Sequence, residues 1–459
     1  MTSLSDRIPI GLKFGYAVSD LGKNTFVILA SVAIFVYMVS FLGVPPGWAG
    51  VLFAVSKIWD VITDPLIGRW SDQYESRYGR RRPFMFVGAF LMSAAVGLMF
   101  LAPFGADVSW QPKAAYFVGM LMLAYTGLTF ISVPYGAMGA EMTQDYEERS
   151  NLISYRMTFA AFGTLIAFVL VPLLVDTFSA GDEPNLEGYR RTGLVLMPLL
   201  LLPTLITVWA TGRAKRSIQP PQSFGLKQQI QIVFSSRPFL LIALTYLIQV
   251  AMITQIVASL AYIIFYIIGV GRDDVSGIQA TMGGIMVVCA ILSFPLWLWC
   301  LKFWDKKRLY FIGTLGFGAM VCLMYLVNEG DLIFLYINLI FLGFFYGPYN
   351  LFPWSMLPDV ISHEQAKHGG SLEGLFNGWW TAFHKVGIAI GPAIIGLILQ
   401  FSGFVEGTHD NPLPDQSPEA IAALKFSISL IPGLLFLSSL LLIRAYTLTK
   451  DDQVALGSR

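Results

Sequence analysis

Apolar residues in this chain gather into long runs separated by short polar turns. Twelve runs stand out, at 12–42, 47–70, 83–104, 113–140, 152–176, 190–211, 237–268, 274–300, 308–327, 331–356, 372–401 and 420–446. A helix needs about 20 mostly apolar residues to cross a bilayer, whereas a barrel strand needs about 10. The runs suit helices and are too long for barrel strands. Val44-Pro45-Pro46-Gly47 and Asn328-Glu329-Gly330-Asp331 are typical of the turns between them. One connection is long and polar, 212–238, with Arg213, Lys215, Arg216 and the Pro220-Pro221 break. Phe224, Lys227, Gln228, Ile230 and Val233 predict a short helix there, lying on the membrane surface. The pattern predicts an all-α membrane protein of twelve transmembrane helices in two six-helix halves. The halves cover 1–211 and 237–446, joined by a central loop at 212–236 and followed by a tail at 447–459.

Composition agrees. Of 459 residues, 55% are hydrophobic and only 13% charged, against roughly 25% charged in a soluble domain. The 14% aromatic content excludes a disordered chain. A net charge of +1 argues against nucleic-acid binding, which needs clustered excess cations. Cys289, Cys300 and Cys322 lie in apolar runs without metal-ligand spacing and read as small buried residues. The first thirteen residues lack the pattern of a removable signal peptide.

Basic residues set the orientation. With both termini in the cytoplasm, the inside loops hold Arg77, Arg80, Arg81, Arg82, Lys306, Lys307, Arg308 and the central cluster. The outside loops keep Lys113, Arg190, Arg191, Arg272 and Lys425.

The halves repeat weakly. Pro65-Leu66 followed by Arg80-Arg81-Arg82 has a counterpart in Pro295-Leu296 followed by Lys306-Lys307-Arg308. Pro134-Tyr135-Gly136 is matched by Pro348-Tyr349-Asn350. Parallel six-helix repeats around a central cavity are one plan of secondary transporters.

Ionisable residues inside such helices are costly and mark function. The first run has Asp20, Lys23 and Asn24, the second Lys57, Asp60 and Asp64, the fifth Arg156, and the eleventh His384 and Lys385. Asp60 and Asp64 are four apart, so they share a helix face, with Thr63 adjacent. Two close carboxylates favour a cation or proton between them, and hard cations prefer such oxygen ligands. The pair reads as a coupling-ion site. The alternative is an ion-pair network of Lys57, Asp60, Asp64 and Arg156 that locks two helices. Lys385 reads as a counter-charge from the second half. Asp72, Arg77, Arg80 and Arg81 suggest a cytoplasmic gate, with Asp72 and Glu75 as partners for the arginines. Tyr125, Ser132, Asn350, Trp354 and Trp380, with Asp20, Lys23, Asn24 and Arg156, are candidates for a substrate cavity. No nucleotide-binding Gly-Lys-Ser/Thr loop, zincin or serine-hydrolase motif is present, which disfavours ATP-driven transport and an enzyme.

The run Lys57-Ile58-Trp59-Asp60-Val61-Ile62-Thr63-Asp64-Pro65, followed by Arg77-Tyr78-Gly79-Arg80-Arg81-Arg82-Pro83, resembles the glycoside–pentoside–hexuronide:cation symporters of the major facilitator superfamily. Tyr16 to Asn24, Val133-Pro134-Tyr135 and Tyr155-Arg156-Met157-Thr158 extend the resemblance over nearly the whole chain. It implies that Asp60 and Asp64 bind Na⁺ or H⁺, with the Thr129 hydroxyl nearby. It also implies that Arg156 lines the sugar cavity and that Lys385 is required for transport. The melibiose-carrying branch has aspartates where Asn24 and Ser132 stand and a tryptophan where Gly136 stands, so a galactoside of that kind is disfavoured. Pro353-Trp354-Ser355-Met356-Leu357-Pro358-Asp359 is closer to the lysolipid-carrying branch. The expectation is a monomeric symporter of the bacterial inner membrane, coupled to Na⁺ or H⁺. Its substrate is a sugar or glycoside, or alternatively a lysophospholipid. It needs no cofactor and no metal beyond the coupling ion. A non-transporting membrane scaffold, the second class, would not need carboxylates inside a helix.

Overall fold

The computed structural model describes residues 8–74, 76–105, 107–143, 146–179, 186–213, 226–269, 271, 275–368, 372–408 and 411–448. These residues form helices and turns without a strand. Helix α1 runs Ile10–Val32 and continues, after a 45° bend, as Ile34–Phe41. Then come α2 (Pro46–Gln73), α3 (Arg82–Leu101), α4 (Trp110–Met142), α5 (Tyr146–Leu165, continued to Phe178) and α6 (Leu186–Ala210). A ten-residue helix, α7 (Leu226–Ser235), occupies the end of the central loop. Phe224 and the Pro220-Pro221 break lie outside the described residues. The second series is α8 (Arg237–Ala258, continued to Ile267), α9 (Val275–Cys300), α10 (Lys306–Leu323), α11 (Leu332–His368), α12 (Glu373–Phe401) and α13 (Pro418–Ile428, continued to Ala445).

Among the described residues, ten helices are long and apolar enough to cross a membrane, and the bent α1 makes an eleventh. Helix α2, 28 residues long, falls outside that set because Lys57, Asp60, Asp64 and Arg69 lower its hydropathy. Its charges set it apart from the other spans. Helix α11 runs past the predicted end at 356 to His368 despite Pro348, Pro353 and Pro358. Prolines are tolerated in spanning helices because neighbouring groups satisfy the freed backbone. Wide π-type turns interrupt the C-terminal parts of α1, α5 and α8, at Tyr37–Phe41, Ile166–Leu170 and Ile263–Ile267. All three cysteines are free; Cys300 is buried and the other two are half-buried.

The chain divides into two compact units. One comprises Met1–Pro220 with Gly271–Ala280 and Val405–Asp415, and the other comprises Pro221–Val270, Thr281–Phe404 and Gln416–Arg459. In the first, α3 packs on α4 and α6, α1 on α5 and α6, and α2 on α4. In the second, α10 packs on α11 and α13, and α8 on α12 and α13. Helix α9 meets α11 where Trp297 Nε1 donates to the Phe344 carbonyl at 3.0 Å. The same packing order thus serves both units. Close approach of α3 and α4 depends on Gly88 and Gly127. A Cβ at Gly127 would fall on the Met92 backbone nitrogen, and one at Gly88 on the Gly127 carbonyl. Small residues at such crossings let membrane helices pack tightly.

Candidate functional site

Lys57, Asp60 and Asp64 follow one another at i, i+3 and i+7, so α2 presents them on one face. Helix α4 lies against that face and supplies Tyr125 and Thr129, themselves four apart. Thr129 Oγ1 stands 3.0 Å from Asp60 Oδ1 and 3.1 Å from Asp64 Oδ1. Thr63 Oγ1 is 3.3 Å from Thr129 Oγ1 and donates to the Asp60 carbonyl at 3.2 Å. Lys57 Nζ lies 3.3 Å from Asp60 Oδ2 and 4.0 Å from the centre of the Tyr125 ring. Asp60, Thr63, Thr129 and Lys57 are all buried, Asp60 completely. A hydroxyl has one hydrogen to donate, so Thr129 cannot serve both carboxylates at once. The cluster brings more acceptor oxygens together than hydroxyl hydrogens. That arrangement suits a hard cation or a shared proton.

A second charged cluster joins α1, α4 and α5. Asp20 Oδ1 accepts from Lys23 Nζ at 2.7 Å. Its Oδ2 accepts from Arg156 Nε at 2.7 Å and from the Tyr135 hydroxyl at 2.6 Å. The Tyr135 ring stacks on Tyr16 at 4.4 Å, and Tyr16 donates to the Tyr135 carbonyl at 2.9 Å. Lys23 Nζ and the Arg156 guanidinium lie 4.0 and 4.6 Å from the Tyr135 ring centre. Gly139 makes room for the Tyr16 hydroxyl, which a Cβ there would strike. Asn24 donates to the Ala160 carbonyl at 2.8 Å and to Thr164 at 3.1 Å, tying α1 to α5. The alternative network of Lys57, Asp60, Asp64 and Arg156 therefore splits in two. Arg156 belongs to Asp20, because α5 packs on α1 while α2 packs on α4.

The second unit carries a group of aromatic rings. Tyr246 on α8 stacks on Trp380 at 4.8 Å and 7°, and on His384 at 5.4 Å and 26°. Its hydroxyl accepts from Trp354 Nε1 at 3.0 Å. Trp380 is fully buried, and its Nε1 makes no hydrogen bond among the described residues. Ser132, Asn350 and Lys385 are half-buried.

At the start of α3, Arg81 donates to Glu141 at 3.1 and 3.2 Å and to Ser71 at 2.9 Å. The expected partners, Glu75 and the Asp72 side chain, lie outside the described residues. Arg77 is exposed, 4.7 Å from the Tyr78 ring centre, and Arg80 is half-buried. In the second unit Lys306 pairs with Asp359 at 2.6 Å. Each unit thus ties a basic residue at the start of its third span to an acid late in its fourth. Sequence reasoning missed Glu141 and Tyr246. Glu141 ends an apolar run, where acids are commonly solvated. Tyr246 stands among apolar residues, where a ring reads as packing.

Two series of six helices with matching packing, and ionisable side chains buried among them, are the plan of a major facilitator transporter. The chain belongs to the MFS/sugar transport protein family, which it matches over residues 15–450. This places it with the glycoside–pentoside–hexuronide:cation symporters. It is 26% identical to an uncharacterized symporter of Synechocystis, over 97% of this chain and 95% of that one. It is 23% identical to the inner membrane symporter YicJ of Escherichia coli, over 99% and 97%. The sodium-dependent lysophosphatidylcholine symporter 1 of Xenopus tropicalis is 24% identical, over 91% and 83%. The crystal structure of a D-xylose–proton symporter shares the fold, with a TM-score of 0.61 at 17% identity over 95% of this chain and 97% of that one.

Proposed function

We propose that the protein is a cation-coupled symporter that carries a sugar or glycoside by alternating access. Asp60, Asp64, Thr63 and Thr129 hold the coupling cation, Na⁺ or H⁺. The observation that carries this reading is the single Thr129 hydroxyl set between two carboxylates. Asp20, Lys23, Asn24 and Arg156 in the first unit, and Trp354, Trp380, Asn350 and Lys385 in the second, serve the substrate. The exposed ring of Trp354 suits stacking on a sugar face, and Arg156 offers directed hydrogen bonds. The Arg81–Glu141 and Lys306–Asp359 pairs act as clamps that open and close with the transport cycle. The protein works in the inner membrane with both termini in the cytoplasm, in keeping with YicJ's name and the placement of basic residues. The cation drives uptake only through differential binding to the two states.

A lysophospholipid is the second reading. The Trp354–Tyr246–Trp380 group favours it, because aromatic faces also take cationic head groups. The experiment is counterflow in proteoliposomes, with and without Na⁺ or a pH gradient, over a panel of sugars, glycosides and lysophospholipids. Cation-stimulated exchange of a sugar that Asp60→Asn and Asp64→Asn abolish supports the proposal. Full stimulation in those variants defeats the ion site, and exchange of lysophospholipids alone defeats the sugar reading.

A further inference from the structure

Helices α1 and α8 end alike. Each closes in a wide π-type turn, at Tyr37–Phe41 and Ile263–Ile267. Each then turns at a glycine of positive φ, Gly43 at 69° and Gly269 at 70°, a backbone that glycine adopts freely. The carbonyls at a helix end need partners from elsewhere. The Ile268 carbonyl accepts from the Gly330 N–H at 2.9 Å, and the Val39 carbonyl accepts from the Gly407 N–H at 3.1 Å. The sources of these donors differ. Gly330 precedes α11 and belongs to the same unit as α8. Gly407 lies between α12 and α13, on the stretch Val405–Asp415 that the first unit takes from the second half of the sequence. It reaches α1 because it has no side chain: a Cβ there would strike the Ser40 backbone and the Pro412 carbonyl. Val39 and Ser40 are 0% and 2% exposed, so water does not stand in for the Gly407 donor. The flanks of the stretch are held in the second unit. Phe404 packs on the Tyr262 ring of α8 at 5.3 Å and on Tyr266 at 5.7 Å, and Gln416 donates to the Tyr266 hydroxyl at 3.3 Å.

We propose that the stretch 405–415 is a latch on α1: its middle holds the end of α1 in one transport state and releases it in the other. In carriers of this plan one six-helix bundle rocks against the other. A stretch anchored on α8 at both flanks and bonded to α1 at its middle bears that motion. One backbone hydrogen bond is a restraint small enough to make and break in each cycle. The latch acts on the helix that carries Asp20 and Lys23, two of the proposed substrate residues. The Gly330–Ile268 bond joins two parts of the same half of the chain and stays made throughout. The inference rests on the reading of the protein as an alternating-access carrier.

The test is cysteine labelling of the full-length protein in proteoliposomes with a membrane-impermeant maleimide. Ser40→Cys is placed in a background of Cys289→Ser, Cys300→Ser and Cys322→Ser, and Gly407→Val is then added. Ser40→Cys alone should label slowly. Gly407→Val should speed its labelling about 10-fold, the scale of one lost hydrogen bond. Gly403→Asn is the control. Gly403 precedes the latch at a φ of 72° with nothing near its Cβ position, and asparagine tolerates that backbone, so labelling should stay slow. Should Gly407→Val fail to fold, Gly407→Ala carries the same prediction. Unchanged labelling in a folded Gly407 variant overturns the inference, as does an equal rise with Gly403→Asn. Absence of counterflow by the unaltered protein for every compound of the panel would instead remove the carrier reading beneath it.

Discussion

Helices α1 and α5 of the first unit and α8 and α12 of the second occupy matching places in their bundles, yet they meet through different chemistry. The α1–α5 contact buries the Asp20–Arg156 ion pair, with Lys23 on the same carboxylate. The α8–α12 contact stacks Tyr246 on Trp380 and His384. The polar anchors differ likewise. The second unit buries an uncharged group in which Gln249 donates to Thr314 at 3.2 Å and to Ser439 at 3.0 Å and accepts from Tyr310 at 2.7 Å. Neutral hydrogen bonds and ring stacking hold helices in a membrane at modest cost, whereas buried charge is expensive and is kept where function needs it. One packing plan therefore tolerates either solution, and the charged one is the costlier of the two.

The largest expected effect follows from removing charge at the proposed cation site of the first unit. Asp60→Asn should lower cation-stimulated uptake in proteoliposomes at least about 100-fold, the scale of losing a buried charge interaction. An effect this large in the first unit, with no counterpart among uncharged substitutions in the second, would sharpen the contrast. Next is Asp20→Asn, which leaves Lys23 and Arg156 beside each other without their shared carboxylate. Breaking a buried pair in this way costs about 3 kcal/mol, readable as a lower unfolding midpoint. A midpoint unchanged from wild type would mean that the ion pairs of α1 and α5 contribute nothing to the bundle.

Much of this contrast was legible in the sequence. Asp60, Asp64 and Lys57 stand out because they interrupt an apolar run, and their spacing places them on one face. Residue spacing does not reveal their partners, and only the family resemblance sets Thr129 beside Asp60 and Asp64. Thr129 lies 69 residues from Asp60, Arg156 136 residues from Asp20, and Glu141 60 residues from Arg81. No local pattern encodes which helices adjoin. Hence Arg156 could be grouped with Asp60 and Asp64 until the packing of α5 on α1 separated them. Rings were harder still, since Tyr246 at helical spacing looks like any core residue. Helix α11 outlasts its apolar run because Asp359, His363 and Glu364 lower the hydropathy without ending the helix.

Smaller effects test the second unit. Gln249→Leu leaves Tyr310, Thr314 and Ser439 without their common partner, and should cost about 1–2 kcal/mol. It should leave cation dependence unchanged, as monitored by uptake against Na⁺ or pH. Tyr246→Phe removes only the hydroxyl that accepts from Trp354 and keeps the stack. It should cost about 1 kcal/mol or less, and weaken substrate affinity in counterflow without changing cation affinity. A shift in cation affinity with either substitution would break the division between the two units.

The central claim is that one monovalent cation binds between Asp60 and Asp64. Ion binding to the purified protein, measured as bound ²²Na⁺ together with proton uptake and release, tests it without a substrate. The account predicts about one Na⁺ or H⁺ equivalent per chain, lost when Asp60→Asn and Asp64→Asn are combined. A double variant that binds the same number of cations as wild type would contradict it.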